Sequence, residues 1–303
     1  MKAIITGSQG FVGNHLTKEL MDNGYSVSGM DLADDDYTSF VDLLDKDSVY
    51  SFIKANQPDV LFHLAAQASV PLSWDNPQRT YELNLIGTIN LLEAVHREKE
   101  TCRIVIIGSS DQYGMTAHSD AISENEEQHP QNPYAASKRA QEEIALIYVN
   151  RYLLDICMTR SFNHCGPGQK LGFLIPDICS GIVQVEKGNA NFLKVGNTES
   201  IRDFTDVRDV VRAYRLIFEK GINGEVYNVG SGVGRKVQDV LDALIGMASC
   251  EISIQPDKER MRPSDTPVIV CDNTKLREHT DWMPQLPFEQ TLRDSLGYYR
   301  SIV

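Results

Sequence analysis

The first apolar run, Lys2 to Thr6, does not alternate with polar residues, and it stops at Gly7. Past the glycines the spacing changes. Val12, Leu16 and Leu20 recur at helical intervals, which predicts a helix from Phe11 to Asn23 ended by Gly24. Ser26 to Asp31 reads as a second strand, and Asp59 to Ala65 and Cys102 to Gly108 are two more unbroken apolar runs. Asn76-Pro77 opens a long helical segment between these two, with proline in the first turn. Strands that are apolar throughout belong in a parallel sheet covered on both faces, and the intervening helices supply its crossovers. The pattern predicts an α/β fold with a doubly wound parallel sheet.

Past residue 165 the rhythm loosens. Gly166-Pro167-Gly168 and a proline-rich tract from Arg262 to Pro267 interrupt it, and helical spacing returns at 206–220, 236–248 and 288–300. Runs near 155–163 and 225–230 read as returns to the main sheet. The expected division is a dinucleotide-type domain at 1–164, with returns near 196–230. An interleaved substrate-binding lobe takes up most of 165–303. The 111–132 stretch lacks periodicity and is longer than ordinary connections, which marks it as functional.

Composition narrows the classes. The 303 residues are 42% hydrophobic and 23% charged, ordinary globular values. The net charge of −13 argues against nucleic acid or an anionic membrane as partner. No run approaches the roughly 18 apolar residues of a membrane span, and the N-terminal run is too short for a secretory signal. The six cysteines lack close spacing, so reduced thiols and a cytoplasmic protein are expected, with no metal.

Gly7-Ser8-Gln9-Gly10-Phe11-Val12-Gly13 is a GxxGxxG loop between a strand and a helix. Glycines there allow a tight turn, backbone approach to a pyrophosphate and close helix packing, the signature of a Rossmann-type sheet. Asp31, at the end of the second strand, can accept hydrogen bonds from an adenosine ribose and would repel a 2′-phosphate. NAD(H) is therefore favoured, with NADP(H) as the alternative. Tyr134 and Lys138 lie four residues apart after Asn132-Pro133, on one helical face. A nearby cation favours the phenolate, so Tyr134 is expected to titrate closer to neutrality. Ser109 and Ser110 end the CRIVIIG strand, where parallel sheets bind ligands.

These stretches together resemble the extended short-chain dehydrogenase/reductase superfamily, and within it the branch of epimerases, dehydratases and reductases acting on nucleotide sugars. The resemblance runs from Met1 to about Tyr299. It rests on GxxGxxG, His63-Leu64-Ala65-Ala66, Ser109-Ser110-Asp111-Gln112-Tyr113-Gly114 and YAASK. RSFNHCGPGQ (160–169), VGNTESIRDFTDVRDV (195–210), VYNVGSG (226–232), RMRPSD (260–265) and Trp282-Met283-Pro284 add to it. The pattern is most similar to reductases of GDP-4-keto-6-deoxy-D-mannose, which make GDP-D-rhamnose, with GDP-mannose 4,6-dehydratases next. Dehydratases of this kind typically carry Thr and Glu where this chain has Ser109 and Asp111, and an arginine-bearing segment where it has Cys165-Gly166-Pro167-Gly168-Gln169.

The resemblance implies roles. Tyr134 would protonate the C4 oxygen, Ser109 would hydrogen-bond the carbonyl, and Lys138 would bind the nicotinamide ribose and depress the tyrosine pKa, with Asp111 beside them. Gly7, Gln9, Gly10, Phe11, Val12, Gly13, Asp31, Asp42, Leu43, Leu64, Ala65, Ala66 and Gln67 would line the cofactor. Ser110, Asn163, Val195, Arg202 and Arg262 would contact the nucleotide sugar, the arginines at its diphosphate. A homodimer through the helices containing 80–97 and 134–150 is implied as well. On the bland side, His63 reads as a packed histidine, Glu142 and Glu143 as a solvated helix face, and Trp74 and Trp282 as packing residues.

Overall fold

The structure is a computed structural model that describes residues 1–115, 120–257 and 266–303. The first half runs β1 (Lys2–Thr6), α1 (Phe11–Asp22), β2 (Ser26–Asp31), β3 (Thr38–Phe40), α2 (Lys46–Asn56) and β4 (Val60–His63). Next come α3 (Val70–Asp75), α4 (Pro77–Tyr81), a π turn at Glu82–Ile86, α5 (Gly87–Glu98) and β5 (Arg103–Ser109). A 3-10 turn at Ser110–Tyr113 precedes α6 (Pro133–Tyr152), β6 (Ile156–Ser161) and β7 (Asn163–Cys165). The remainder is α7 (Leu174–Glu186), β8 (Leu193–Val195), β9 (Ile201–Asp206), α8 (Val207–Lys220), β10 (Val226–Val229), β11 (Gly234–Lys236) and α9 (Val237–Ile245). It closes with β12 (Ile254–Pro256), β13 (Val268–Ile269), α10 (Thr274–Thr280) and α11 (Phe288–Ile302).

Among the described residues, seven strands form one parallel sheet in the order β10-β6-β5-β4-β1-β2-β3. The strand order reverses between β1 and β4, and the crevice beyond that switch point is where such sheets take ligands. Apolar residues on both faces explain the unbroken runs. Leu16 and Leu20 of α1 and Val210, Tyr214 and Ile217 of α8 cover one face. Val49 and Ile53 of α2, Leu91, Leu92 and Val95 of α5 and Ala145 of α6 cover the other. Trp282 is buried in the first of these layers, its indole N–H donating to the Asp209 carbonyl at 2.9 Å.

A separate core joins Ile178, Ile182, Val195, Phe204, Leu241, Leu292 and Tyr299, from α7, β8, β9, α9 and α11. Buried Asp203 of β9 ties this part to the main sheet. Its carboxylate accepts from the backbone N–H groups of Ser231 (2.9 Å), Gly232 (2.8 Å) and Cys271 (3.2 Å). No described helix is long and apolar enough to cross a membrane. All six cysteines are free, and only Cys250 is exposed.

Two of the bland expectations fail. Trp74 is 63% exposed on α3 instead of packed. Glu142 is buried, because Arg160 on the neighbouring β6 reaches it with two hydrogen bonds of 2.9 and 2.7 Å.

Candidate active site

The glycine loop owes its shape to two close approaches. Gly7 has φ +71°, and a Cβ there would lie 2.9 Å from the Ala65 nitrogen. A Cβ on Gly13 would stand 2.2 Å from the Gly7 carbonyl oxygen, so α1 can sit down on the loop only if that residue is glycine. Gly10 caps α1 without a side-chain hydrogen bond, which leaves the first N–H groups of the helix for an anion. Asp31 ends β2, where its carboxylate accepts from Gln9 N at 2.9 Å and Leu32 N at 2.7 Å. With two oxygens and about four lone-pair directions it retains acceptor capacity for a ribose diol.

The other cofactor candidates follow β3 and β4 or open α1. Leu64, Ala65, Ala66 and Gln67 follow β4, and Ala65 N donates to Thr6 Oγ1 at 3.1 Å. Buried Asn84, inside the π turn, clamps Gln67 through both backbone groups, accepting from its N–H at 2.8 Å and donating to its carbonyl at 3.1 Å. Asp42 accepts from Leu44 N, and Leu43 is buried against Gly87 of α5. Phe11 lies edge-on to His15 and stacked with His164, at centroid distances of 5.5 and 6.1 Å, beneath the loop that follows β7. Val12 packs on the α1–α8 side of the sheet. The uncapped helix start, the glycine cradle and the strand-end carboxylate fit a dinucleotide.

At β5 the sheet register carries the candidate catalytic groups beyond the end of β4. His63, the last residue of β4, pairs with Ile106, and β5 continues three residues further to Ser109 opposite Ser161. The Ser109 side chain caps the 3-10 turn, accepting from Asp111 N at 3.2 Å, and Gln112 returns to accept from Ser109 N at 2.9 Å. This capping box fixes the serine against its own turn, with Ser110 buried beside it. Tyr134, in the first turn of α6, is half-buried and shares a hydrogen bond with Ser109. Asn132 accepts from Ala135 N at 2.8 Å and so starts the helix that carries Tyr134 and Lys138.

The expectation that Lys138 depresses the tyrosine pKa is not met. Buried Lys138 donates to the Ile107 carbonyl at 2.7 Å and to Gln141 Oε1 at 2.9 Å. Desolvation holds the Tyr134 phenol well above its ordinary value; the Asp111 carboxylate adds to this and the Ser109 hydrogen bond opposes it. Burial pushes Lys138 down to about 7.

The substrate candidates are dispersed. Asn163 is exposed on β7, and Arg202 on β9 donates to the Ile201 carbonyl at 2.8 Å. Its acidic neighbours are engaged elsewhere, Asp203 by the backbone of 231–232 and 271 and Asp206 by Arg208 and Thr291. Val195 is buried in the second core, so its side chain belongs to packing rather than to an open binding surface. Arg262, with the whole RMRPSD segment, lies outside the described residues.

Sequence reasoning missed Asn84, Gln112 and Gln141, whose side chains hold site residues. Each is a polar residue in a helical or turn segment, and no spacing rule announces a buried partner. A serine, a tyrosine and a lysine beside a dinucleotide crevice define an extended short-chain dehydrogenase/reductase. The chain belongs to the GDP-mannose 4,6 dehydratase family, whose sequence profile matches residues 4–295. It is 35% identical over 305 residues to the GDP-6-deoxy-D-mannose reductase of Pseudomonas aeruginosa, covering 100% of this chain and 98% of that protein. The structure of RMD from Pseudomonas aeruginosa complexed with NADPH superposes with a TM-score of 0.91 at 34% identity, covering 100% of this chain and 99% of that one. UDP-glucose 4-epimerase of Thermus thermophilus in complex with NAD gives a TM-score of 0.90 at 28% identity, with both chains fully covered.

Proposed function

We propose that the protein reduces the C4 ketone of a GDP-bound 4-keto-6-deoxyhexose, GDP-4-keto-6-deoxy-D-mannose, to give GDP-D-rhamnose. The observation that carries this reading is the Tyr134 phenol, kept protonated by burial and Asp111 and joined to Ser109 by a hydrogen bond. A reductase needs an acid at the carbonyl oxygen, and a phenol with a raised pKa retains its proton through neutral pH. The end-to-end similarity to a GDP-6-deoxy-D-mannose reductase supports the substrate class.

Bound reduced nicotinamide supplies the hydride. Ser109 donates a hydrogen bond to the C4 oxygen, and Tyr134 Oη transfers its proton to that oxygen as negative charge develops there. Lys138 would meet the nicotinamide ribose, and the backbone from Gly7 to Gly13 with the start of α1 would hold the pyrophosphate. Asn163, Arg202 and Arg262 are assigned to the nucleotide sugar. A second reading, a 4,6-dehydratase or 4-epimerase that retains its NAD and returns the hydride, draws on the same fold and family. Asp111 disfavours the dehydratase, whose elimination needs a base reaching C5, because aspartate is one methylene shorter than glutamate. Incubation with GDP-mannose and NAD is expected to yield no 4-keto-6-deoxy product; formation of that product would establish the dehydratase instead.

NAD(H) is the preferred cofactor in this reading. Asp31 at the ribose end is joined by Asp35, which accepts from Gln9 Nε2 at 3.0 Å, so a 2′-phosphate would meet negative charge. Asp31→Ala is expected to shift the NADH-over-NADPH preference by about tenfold or more, equivalent to about 1.4 kcal/mol. Unchanged discrimination in paired kcat/KM measurements would remove Asp31 from this role.

The reading includes a cytoplasmic homodimer, the location supported by six free cysteines. The dimer would form through α4, the π turn, α5 and α6, where Tyr81, Ile86 and Ile147 expose apolar side chains. Sedimentation is expected to give twice the chain mass, and a concentration-independent monomer would contradict it.

A further inference from the structure

Beneath the catalytic pair runs a buried chain of hydrogen bonds that the reaction described above does not use. Lys138 Nζ donates to Gln141 Oε1 at 2.9 Å, and Gln141 Nε2 donates to Thr88 Oγ1 at 2.7 Å. His63 Nε2 lies 2.8 Å from the same Thr88 oxygen, and His63 Nδ1 lies 2.8 Å from Thr6 Oγ1. Ala65 N, behind the glycine loop, donates to Thr6 Oγ1 at 3.1 Å. Gln141, Thr88, His63 and Thr6 are fully buried, on α6, α5, β4 and β1.

The proton order in this chain follows from the donor inventory. Thr88 gives its single hydroxyl proton to the Asn84 carbonyl at 2.7 Å, so its oxygen accepts from both Gln141 and His63. His63 therefore carries its proton on Nε2, and Nδ1 accepts from Thr6. The Gln141 carbonyl must face Lys138. Flipping that amide would set two donors against each other at the lysine and two acceptors at the threonine, each a buried unsatisfied contact.

We propose that Gln141 is a positioning residue for Lys138: its amide, locked by Thr88 and His63, gives the amine a neutral acceptor that holds it in place and supports the charged form less than a carboxylate would. This rests on the reading above, in which Tyr134 and Lys138 carry turnover. Among the described residues, His63 from β4 is the titratable group on which the Lys138 charge acts. Asp111, from the 3-10 turn, acts on Tyr134. Burial pushes His63 down to about 3, so it stays neutral in the working range, and desolvation lowers Lys138 to about 7. A carboxylate at position 141 would favour the ammonium and reverse that direction.

The test is a pH titration of the full-length protein carrying 13Cε-labelled lysine, followed by NMR without substrate, with Lys138→Met to assign the resonance. Gln141→Glu is expected to raise the Lys138 midpoint by about one unit or more. Gln141→Met, which removes the acceptor without adding charge, is expected to lower it, and stands in if Gln141→Glu does not fold. The corresponding limb of the kcat/KM profile should move in the same direction. A residue with a merely structural role would lower thermal stability and leave the midpoint in place; an unmoved midpoint overturns the proposal. Wild-type turnover in Lys138→Met would instead refute the catalytic reading, an outcome distinct from the Gln141 titration.

Discussion

Tyr134→Phe is expected to lower turnover by about 10²–10⁴, the range supplied by a positioned general acid. The substitution removes one oxygen and keeps the ring, so the start of α6 and its Asn132 cap remain. Ser109 loses the phenol but keeps its bond from Asp111 N, and Gln112 still accepts from Ser109 N. NADH affinity should therefore change little while kcat falls. The raised phenol pKa gives a sign as well: in wild type the acid form persists through neutral pH, so activity should not fall from loss of this proton until alkaline pH. Steady-state kinetics with NADH binding by fluorescence checks both parts. Wild-type turnover in the variant would remove Tyr134 as proton donor.

The largest stability effect is expected at Glu142. Its pair with Arg160 is buried on both sides, and Arg160 also donates to the Tyr113 hydroxyl at 2.9 Å and the Glu124 carbonyl at 3.0 Å. Glu142 further accepts from Gln112 at 2.9 Å, so the same carboxylate supports the residue that holds Ser109. Removing one partner of such a pair leaves an uncompensated buried charge. Glu142→Leu should therefore cost about 3–5 kcal/mol in urea unfolding. Glu143, one residue on, pairs with Arg139 in the open, where such pairs contribute about 0–1 kcal/mol, so Glu143→Leu should be nearly silent. Burial pushes the Glu142 carboxyl up, but Arg160 and the hydrogen bonds from Gln112 and Gln128 outweigh it and hold the group below the usual glutamate range. A folded pKa below the unfolded one adds stability above the unfolded value and loses it as pH falls through the folded value. Wild type should lose this contribution in acid, and Glu142→Leu should have none to lose. Equal stability of the two proteins at neutral pH would contradict this account.

The helix that holds both Tyr134 and Glu142 shows what a linear pattern reveals. The start of α6 was legible, because Asn132-Pro133 is a local signal for a helix entrance. The burial of Glu142 was not, since its charge is balanced by Arg160, 18 residues away on a different element. The central strands were equally legible: β4 (Val60–His63) falls inside the expected run from Asp59 to Ala65, since burial on both faces writes itself into an unbroken apolar run. The short strands β7, β8, β11, β12 and β13 have two or three residues each, too few for any period to register. The same limit applies to the site. Gly7, Gly13 and Asp31 are legible because the need for them is local, in a turn, a helix seat and a strand end. The hydrogen-bonded seat of Lys138 was not legible, because the carbonyl of Ile107 and the amide of Gln141 draw the amine along a direction that i,i+4 spacing cannot specify.

The most direct measurement follows NADH absorbance while the purified protein acts on GDP-4-keto-6-deoxy-D-mannose. One NADH consumed per GDP-deoxyhexose formed is the result the proposed reduction predicts. A folded, cofactor-binding preparation that leaves NADH unchanged with that substrate would contradict it.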